Sequence, residues 1–213
     1  MISVNVGKPR LAAFRGVTVN TGIFKRPVEG RVALAATNLS GDGQADLAVH
    51  GGVDKAVYAY PVEHYDFWRE TLQRDDFEYG QFGENFTVRG ILENEITIGD
   101  VFRVGSAVVE VSQPRSPCSK LGIRMKMPEF PKLFLRSLRS GFYLRVLEEG
   151  EVGAGDRFDR LRRDPVAITV REMNHLFHFE RENVEAMRFA VRNQALSTDW
   201  RQPLLKRIDE ADD

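Results

Sequence analysis

The side chain best suited to chemistry is Cys118, the single cysteine of the 213-residue chain. It lies in the segment Gln113–Leu121, directly after an alternating apolar strand. Two prolines hold this segment extended, because each fixes its own φ and disfavours helix in the residue before it. Arg115 and Lys120 surround the thiol with positive charge, which favours the reactive thiolate. The segment therefore predicts a presented, reactive thiol rather than a packed one.

A second segment that concentrates polar residues is Gly41–Tyr58, which contains the pair Gly51-Gly52. Two glycines let the backbone approach a ligand and can offer N–H donors to an anion, although an ordinary glycine turn has the same pattern. The neighbouring His50 can act as a proton donor or phosphate contact, or as a structural residue at a strand end. Lys55 can pair with a phosphate as a compact charge, or lie in solvent.

The third segment is Phe82–Thr87, in which Asn85 follows Glu84. An amide side chain offers two donors and an acceptor, which suits a ligand with mixed hydrogen-bonding edges such as a pterin or a purine. An Asx-turn explains the same asparagine. Arg115, beside the thiol, can hold a phosphate through two hydrogen bonds.

The sequence lacks the usual patterns of metal ligands. Asp42, Asp46 and Asp54 do not have the spacing of an EF-hand loop. No paired His and Cys residues indicate zinc, and His175 and His178 have no third ligand nearby, so we expect them at a surface or an interface.

Composition limits the class of protein. With 42% hydrophobic and 29% charged residues, the chain can form one ordinary domain plus a small appendage. The net charge of −1 argues against a nucleic-acid binder, so any anion site must be local. One cysteine excludes an intramolecular disulfide, and no apolar run reaches the roughly 20 residues needed to cross a membrane. We expect a cytoplasmic protein with no membrane segment.

Short alternating or β-branched runs dominate the chain up to Arg163, and turn residues separate them. Many short strands at irregular spacing favour a closed or partly closed barrel over a parallel α/β sheet. The predicted strands are Ile2–Val6, Arg31–Thr37, Leu47–Val49, Val57–Tyr60, Phe86–Val88, Glu95–Ile98, Val101–Val104, Ala107–Val111, Phe142–Leu147 and Arg157–Leu161.

Two helices are predicted among the strands, one from Pro61 to Leu72 and one over 130–138 that stops by Gly141. Beyond residue 163 the pattern becomes helical, with a capping box at Thr169 and Glu172. We expect a mainly β domain over 1–163 and a three-helix unit over 164–213. The unit is too small for confident independent stability, so it should pack on the barrel or on a second subunit as a homodimer contact.

Taken together, the three segments resemble the MOSC domain, and most closely its YiiM-like branch. The resemblance covers nearly the whole chain and depends on the order and spacing of several motifs rather than on any single one. These motifs are Asp42-Gly43-Gln44-Ala45-Asp46, His50-Gly51-Gly52, Asp54-Lys55-Ala56-Val57-Tyr58, Phe82-Gly83-Glu84-Asn85, the Cys118 segment Gln113–Leu121, and Ser140–Leu147.

The resemblance implies a β-barrel-like domain that binds the molybdenum cofactor, in which molybdopterin ligates the metal. Cys118 would ligate molybdenum, since thiolates suit soft or covalent metal centres. The resemblance also implies that the catalytic residues are Cys118, Asn85 and His50. The residues implied to hold the cofactor are Lys55, Arg115, Cys118, Gly51, Gly52 and Arg145.

YiiM-like proteins are associated with reducing N-hydroxylated bases such as 6-hydroxylaminopurine to the parent amine, a detoxification. The metal would break the N–O bond, while the protein would bind and orient the substrate and the cofactor and supply the electrostatic surroundings. His50, Glu84 or metal-bound water would supply protons. Because the sequence has no flavin, haem or iron–sulfur motif, we expect a separate reductase to donate electrons.

Two other functions fit the same residues. The first is a non-catalytic carrier of the molybdenum cofactor or of sulfur, which would bind cofactor without turnover. The second is a thiol enzyme in which Cys118 is the nucleophile and His50 the base, and it would be active without metal.

Overall fold

The computed structural model describes residues 1–45 and 51–213, and this part of the chain forms thirteen strands and six helices. The strands are β1 Ser3–Val6, β2 Arg10–Phe14, β3 Val17–Thr21, β4 Arg26–Pro27, β5 Val32–Ala35, β6 Asn38–Leu39, β7 Val57–Pro61, β8 Phe86–Val88, β9 Val101–Val104, β10 Ala107–Pro114, β11 Phe142–Glu148, β12 Gly150–Val152 and β13 Phe158–Arg162. The helices are α1 Glu63–Leu72, α2 Ser119–Met125, α3 Phe130–Ser137, α4 Val170–Phe179, α5 Val184–Ala190 and α6 Thr198–Asp212.

Eight strands form the main sheet, in the order β13-β9-β10-β11-β7-β8-β1-β4, and it curls into a half-barrel. Its paired strands run antiparallel except for β7 and β8, which are parallel. All eight residues of β10 are buried, because the sheet is covered on both faces at that point. Strands β5, β6 and β12 form a small second sheet, and β2 with β3 forms a hairpin. The predicted mainly β fold is confirmed.

Strand β7 separates two hydrophobic cores, since successive side chains of a strand point to opposite faces. Val57 and Ala59 belong to the larger core, which the C-terminal helices cover. Tyr58 and Tyr60 belong to a second core rich in aromatic rings, which helices α1, α2 and α3 cover. The aromatic core therefore supports the face of the sheet that carries Tyr58.

The C-terminal helices α4, α5 and α6 pack on the sheet and share its larger core. Met173 and Trp200 from these helices lie in the same buried cluster as Val109 and Val111 of β10. The predicted capping box is present, because the Thr169 side chain accepts from the backbone of the N3 residue, whose carboxylate accepts in return. The predicted three-helix unit is confirmed, and its apolar faces are buried against the half-barrel.

Three local predictions were wrong. The predicted strand Glu95–Ile98 is a turn with one isolated bridge, from Thr97 to Thr169. Pro61 ends β7 instead of starting α1, because Tyr60 and its neighbours are already paired in the sheet. Helix α3 ends at Ser137, before the predicted stop, because Leu138 adopts left-handed backbone with φ of 56°.

Several elements were not predicted. The hairpin of β2 and β3 was missed because its residues are mostly exposed and carry no clear apolar alternation. Helix α2 was missed because it has only seven residues, one of them glycine. The predicted strand Leu47–Val49 lies outside the described residues.

Arg145 connects the sheet to the C-terminal unit. Its guanidinium donates to Asp54 Oδ1 at 2.6 and 2.8 Å and to Glu110 Oε2 at 2.5 Å. It also donates to the carbonyl oxygen of Ala195, 3.2 Å away, in the loop between α5 and α6. The Arg145 side chain therefore compensates the charge of two partly buried carboxylates and donates to one backbone carbonyl of the C-terminal unit.

Replacing Arg145 by Met should lower the free energy of unfolding by about 2 kcal/mol, because Asp54 loses its cation and Glu110 loses one of two. The measurement is urea denaturation followed by circular dichroism. The matched control is Arg157→Met, since Arg157 is 88% exposed and its 3.6 Å ion pair with Asp159 lies in solvent. An equal effect of both substitutions would contradict the proposed connection.

Candidate functional site

One cavity collects residues from all three polar segments and from the end of the β2–β3 hairpin. The described residues that line it include four with cationic side chains and none with a carboxylate. Its enclosed volume is about 80 Å³, small compared with the roughly 300 Å³ of a modest ligand pocket. A pterin-sized ligand must therefore also occupy the mouth. The lining residues are Thr21, Gly22, Ile23, Lys25, Gly43, Gln44, Ala45, Lys55, Tyr58, Gly83, Asn85, Arg115, Cys118, Lys120 and Tyr143.

Cys118 forms part of the cavity wall. It occupies the N-cap position of α2 in extended backbone, with φ of −128° and ψ of 169°, and it is half-buried. The helix begins directly after it, and Lys120 in its first turn lines the same cavity. The thiol therefore shares the cavity with Arg115 and Lys120.

Arg115 is the most deeply buried cation of the cavity that lacks a carboxylate partner among the described residues, with 5% of its surface exposed. Its guanidinium carbon lies 5.0 Å from the centroid of the Tyr58 ring and 5.5 Å from that of Phe134. Among the described residues, its Nη1 has no hydrogen-bond partner. A buried, charged donor without a partner is costly, so this atom favours an anion in the cavity.

Two tyrosines beside Arg115 remain protonated. Burial raises the pKa of Tyr58 well above its usual value and also raises that of Tyr143, while Arg115 opposes both shifts. The Tyr58 hydroxyl donates to the carbonyl oxygen of Ser140 at 2.8 Å. The cavity therefore presents neutral phenols, and no phenolate competes with an anionic ligand for Arg115.

Two residues of the cavity lining, Lys25 and Asn85, bind the carboxylate of Asp42. Lys25 donates to both of its oxygens at 2.5 Å. Gly7 N donates to Oδ1 and Asn85 Nδ2 donates to Oδ2, each at 2.8 Å. Burial lowers the pKa of Lys25, and Asp42 opposes that shift. The charge of Lys25 is thus largely compensated within the protein.

Asn85 lines the cavity, but its amide group is bound by other parts of the protein. Besides Asp42, Nδ2 donates to the carbonyl oxygen of Asn5 at 3.3 Å, and Oδ1 accepts from Tyr58 N at 3.1 Å. Both amide hydrogens and one oxygen lone pair are occupied. This arrangement favours a positioning role for Asn85 over direct contact with a substrate.

Glu84, one of the expected proton sources, does not line the cavity. It is fully buried, and its oxygens accept from the Tyr65 hydroxyl, the Thr87 hydroxyl and two backbone N–H groups. Burial raises its pKa against these hydrogen bonds. Gly83 before it has φ of +82°, and a Cβ there would lie 2.7 Å from Ile23. This motif therefore builds a corner against the cavity wall.

Lys55 joins the cavity to the C-terminal unit. Its Nζ lies 2.5 Å from Asp199 Oδ2, in the first turn of α6. A second link is the 3.3 Å contact between Ser116 Oγ and His178 Nε2 of α4. The C-terminal helices therefore contact Lys55 in the cavity wall and the segment that carries Cys118.

The structure does not bring every predicted site residue to the cavity. Arg145 is outside the lining and binds Asp54 and Glu110, so its position does not support a role in holding cofactor. Gly51 and Gly52 are also outside the lining; Gly52 has φ of +92° and begins the 3-10 turn Val53–Lys55. His50 lies outside the described residues.

Lys25, Ile23 and Thr21 line the cavity but were not predicted, because they belong to the missed hairpin and the loop after it. The sequence sign of this close approach is the glycine at position 22. In the structure, a Cβ there would lie 2.2 Å from the carbonyl oxygen of Gly43. A glycine in such a close approach of two backbones has a structural reason to be there.

Within residues 1–45 and 51–213, no three His, Cys, Asp or Glu side chains lie close enough to share a metal ion. Over the same ranges, no helix is both long and apolar enough to span a membrane. Among the described residues that line the cavity, Cys118 is the one side chain with a thiol that could bind a metal.

The family models match two consecutive parts of the chain. The MOSC domain matches residues 46–159, and the YiiM-like 3-alpha helix domain matches residues 168–211. The crystal structure of YiiM from Geobacillus stearothermophilus superimposes with a TM-score of 0.83 and 38% identity over 97% of each chain.

Two relatives extend this result. The protein YflK of Bacillus subtilis (strain 168) is 44% identical over 209 residues, covering 98% of this chain and 94% of YflK. A protein of Gibberella moniliformis named "Reductase" is 34% identical over 166 residues, covering 76% of this chain but only 29% of the longer relative. The chain belongs to the MOSC-domain family and carries a YiiM-like three-helix domain after its MOSC domain.

Proposed function

We propose that this protein binds the molybdenum cofactor in the cavity and reduces N-hydroxylated bases to the parent amines. The observation that carries the proposal is the position of Cys118 and Arg115 on one cavity without a lining carboxylate among the described residues. A thiolate suits a covalent metal centre, and a buried guanidinium suits the phosphate of a pterin. Membership of the MOSC-domain family supports this choice of cofactor.

The donor set of the cavity fits this cofactor. Arg115 Nη1 has no hydrogen-bond partner among the described residues and can donate to an anionic group of the cofactor. The protonated phenol of Tyr143 can donate to an edge of the pterin ring. Lys120 lines the same cavity as the thiol, and Lys55 lines it while paired with Asp199. Bound there, the cofactor supplies two-electron redox chemistry at molybdenum.

In this proposal the residues of the chain bind the cofactor and hold the cavity in shape. Cys118 would hold the metal and Arg115 the anionic part of the cofactor, while Asn85 holds Asp42 and the start of β7 in place. Glu84 is unsuited to proton transfer, because its oxygens are occupied and it does not line the cavity. The protons therefore come from solvent at the mouth or from His50.

The overall reaction consumes one N-hydroxyl group, two electrons and two protons, and it yields an amine and water. We assign the electrons to a separate reductase and the reaction to the cytoplasm, where a single cysteine stays reduced. The longer relative named a reductase supports a reductive activity for proteins that contain this domain.

The proposed reaction is tested by the reduction of 6-hydroxylaminopurine with a chemical electron donor. Protein purified from a host that makes molybdopterin should form adenine, and Cys118→Ser should lower the rate at least about 100-fold. Ser119→Ala is the matched control, since Ser119 is exposed and outside the cavity lining, and it should keep the rate.

Protein from a host that cannot make molybdopterin separates the alternatives. It should be inactive. Activity in that preparation would instead indicate a thiol enzyme, while bound cofactor without any adenine formation would indicate a carrier.

Replacing Arg115 by Met should weaken retention of the pterin at least about tenfold, because it removes a charge-assisted hydrogen bond while keeping an apolar stem between the aromatic rings. The measurement is the fluorescence of oxidised pterin released by acid, per mole of folded protein. Arg136→Met, at an exposed position of α3, is the control and should not change it. Equal pterin content in both variants would argue against Arg115 as the anion ligand.

A further inference from the structure

Two guanidinium groups lie over one aromatic ring beside the cavity. The guanidinium carbon of Arg10 lies 4.1 Å from the centroid of Phe24, and that of Arg124 lies 5.3 Å from it. Arg10 begins β2 and Arg124 lies in the last turn of α2, and these two elements are in contact. Two like charges held by one ring repel each other, and an anion that binds both relieves that repulsion.

The protein does not supply that anion among its described residues. Neither Arg10 nor Arg124 has a carboxylate within ion-pair distance, and the buried Nε of Arg124 has no hydrogen-bond partner. Glu84 and Glu78 face Arg124 from farther away, and the oxygens of Glu84 are occupied. Burial lowers the pKa of Arg124, and Arg10 adds to that shift against the two carboxylates.

The arginine pair adjoins the cavity. Phe24 lies between Ile23 and Lys25, which both line it. On α2, Lys120 lines the cavity and Arg124 follows four residues later on the same helix face. At 1.5 Å per residue, Arg124 lies about 9 Å beyond Cys118 along the helix. A ligand that fills the small interior and extends through the mouth can therefore reach the pair.

We propose that Arg10 and Arg124 form a second anion subsite at the rim, which binds a phosphate ester on a ligand whose other end occupies the cavity. The inference deepens the proposed function and rests on it. The phosphate belongs either to a nucleotide form of the N-hydroxylated substrate or to a second phosphate of a dinucleotide form of the cofactor. In both cases the two guanidinium groups bind phosphate oxygens and Phe24 holds them in place.

The first experiment is calorimetric titration of the purified holoprotein with adenosine 5′-monophosphate and with adenosine. If the subsite binds the substrate's phosphate, wild type should bind the monophosphate at least about tenfold more tightly, since each charge-assisted hydrogen bond contributes on that order; if a cofactor phosphate already fills it, wild type should bind both compounds equally. The double variant Arg10→Gln/Arg124→Gln should bind both equally. Arg136→Gln should retain the preference, and Arg124→Lys should retain part of it, because lysine keeps charge but loses the planar donor set.

The second experiment is the mass of the oxidised pterin released from wild type and from the double variant. A monophosphate pterin in both, with the preference for the nucleotide, assigns the subsite to the substrate. A dinucleotide pterin in wild type and a monophosphate pterin in the double variant assigns it to the cofactor. Equal binding of both adenosine compounds together with the same pterin in both proteins overturns the subsite.

The two proposals fail separately. A nucleotide preference that depends on Arg10 and Arg124, in protein that never holds molybdenum or pterin, would overturn the proposed function and leave the subsite. Thermal unfolding followed by circular dichroism shows whether the double variant is folded. Because Arg10 is exposed, Arg10→Gln alone keeps the test valid if the double variant unfolds, and it should lower the nucleotide preference by itself.

Discussion

The contact on which the cavity depends is the buried carboxylate of Asp42. It binds the ammonium of Lys25, the amide of Asn85 and the backbone of Gly7. With Asp42 itself, these residues come from four separate stretches of chain. One carboxylate therefore fixes the loop after the hairpin, the residue after β1 and the corner before β8 relative to one another. Removing it would leave a buried ammonium without compensation, which costs far more than a surface ion pair.

Because Asp42 compensates Lys25, other residues determine the charge that a ligand meets. Lys55 is paired with Asp199 of the C-terminal unit. Arg115 has no carboxylate partner among the described residues and retains an unpartnered nitrogen. The aromatic core holds this guanidinium against Tyr58, so its position is fixed before any ligand binds. The site is therefore preorganised for an anion next to a thiol.

Much of the fold follows from local sequence. Strands such as Phe86–Val88 and Val101–Val104 have the predicted bounds, because their alternation and flanking turns are local signals. The proximity of Arg115 and Cys118 is equally local, since three residues separate them. The three-helix unit follows from its capping box and its apolar periodicity.

The missing parts of the prediction depend on long-range contacts. Asn85 suggests a ligand contact when it is considered alone, and only the fold shows that Asp42, 43 residues away, occupies its amide. Arg145 has the charge of a phosphate ligand, but Asp54, 91 residues away, binds it. Lys25 carries no local sign of its position, because the hairpin before it has exposed strands without a clear alternation.

The central claim is that the cationic cavity holds molybdenum through Cys118. The most direct test is the molybdenum content of wild type and Cys118→Ser by elemental mass spectrometry, with both proteins purified from a host that makes molybdopterin. We expect near-stoichiometric metal in wild type and its loss in the variant. Equal molybdenum in both proteins would contradict the role of Cys118, and neither metal nor pterin in wild type would contradict the cofactor site itself.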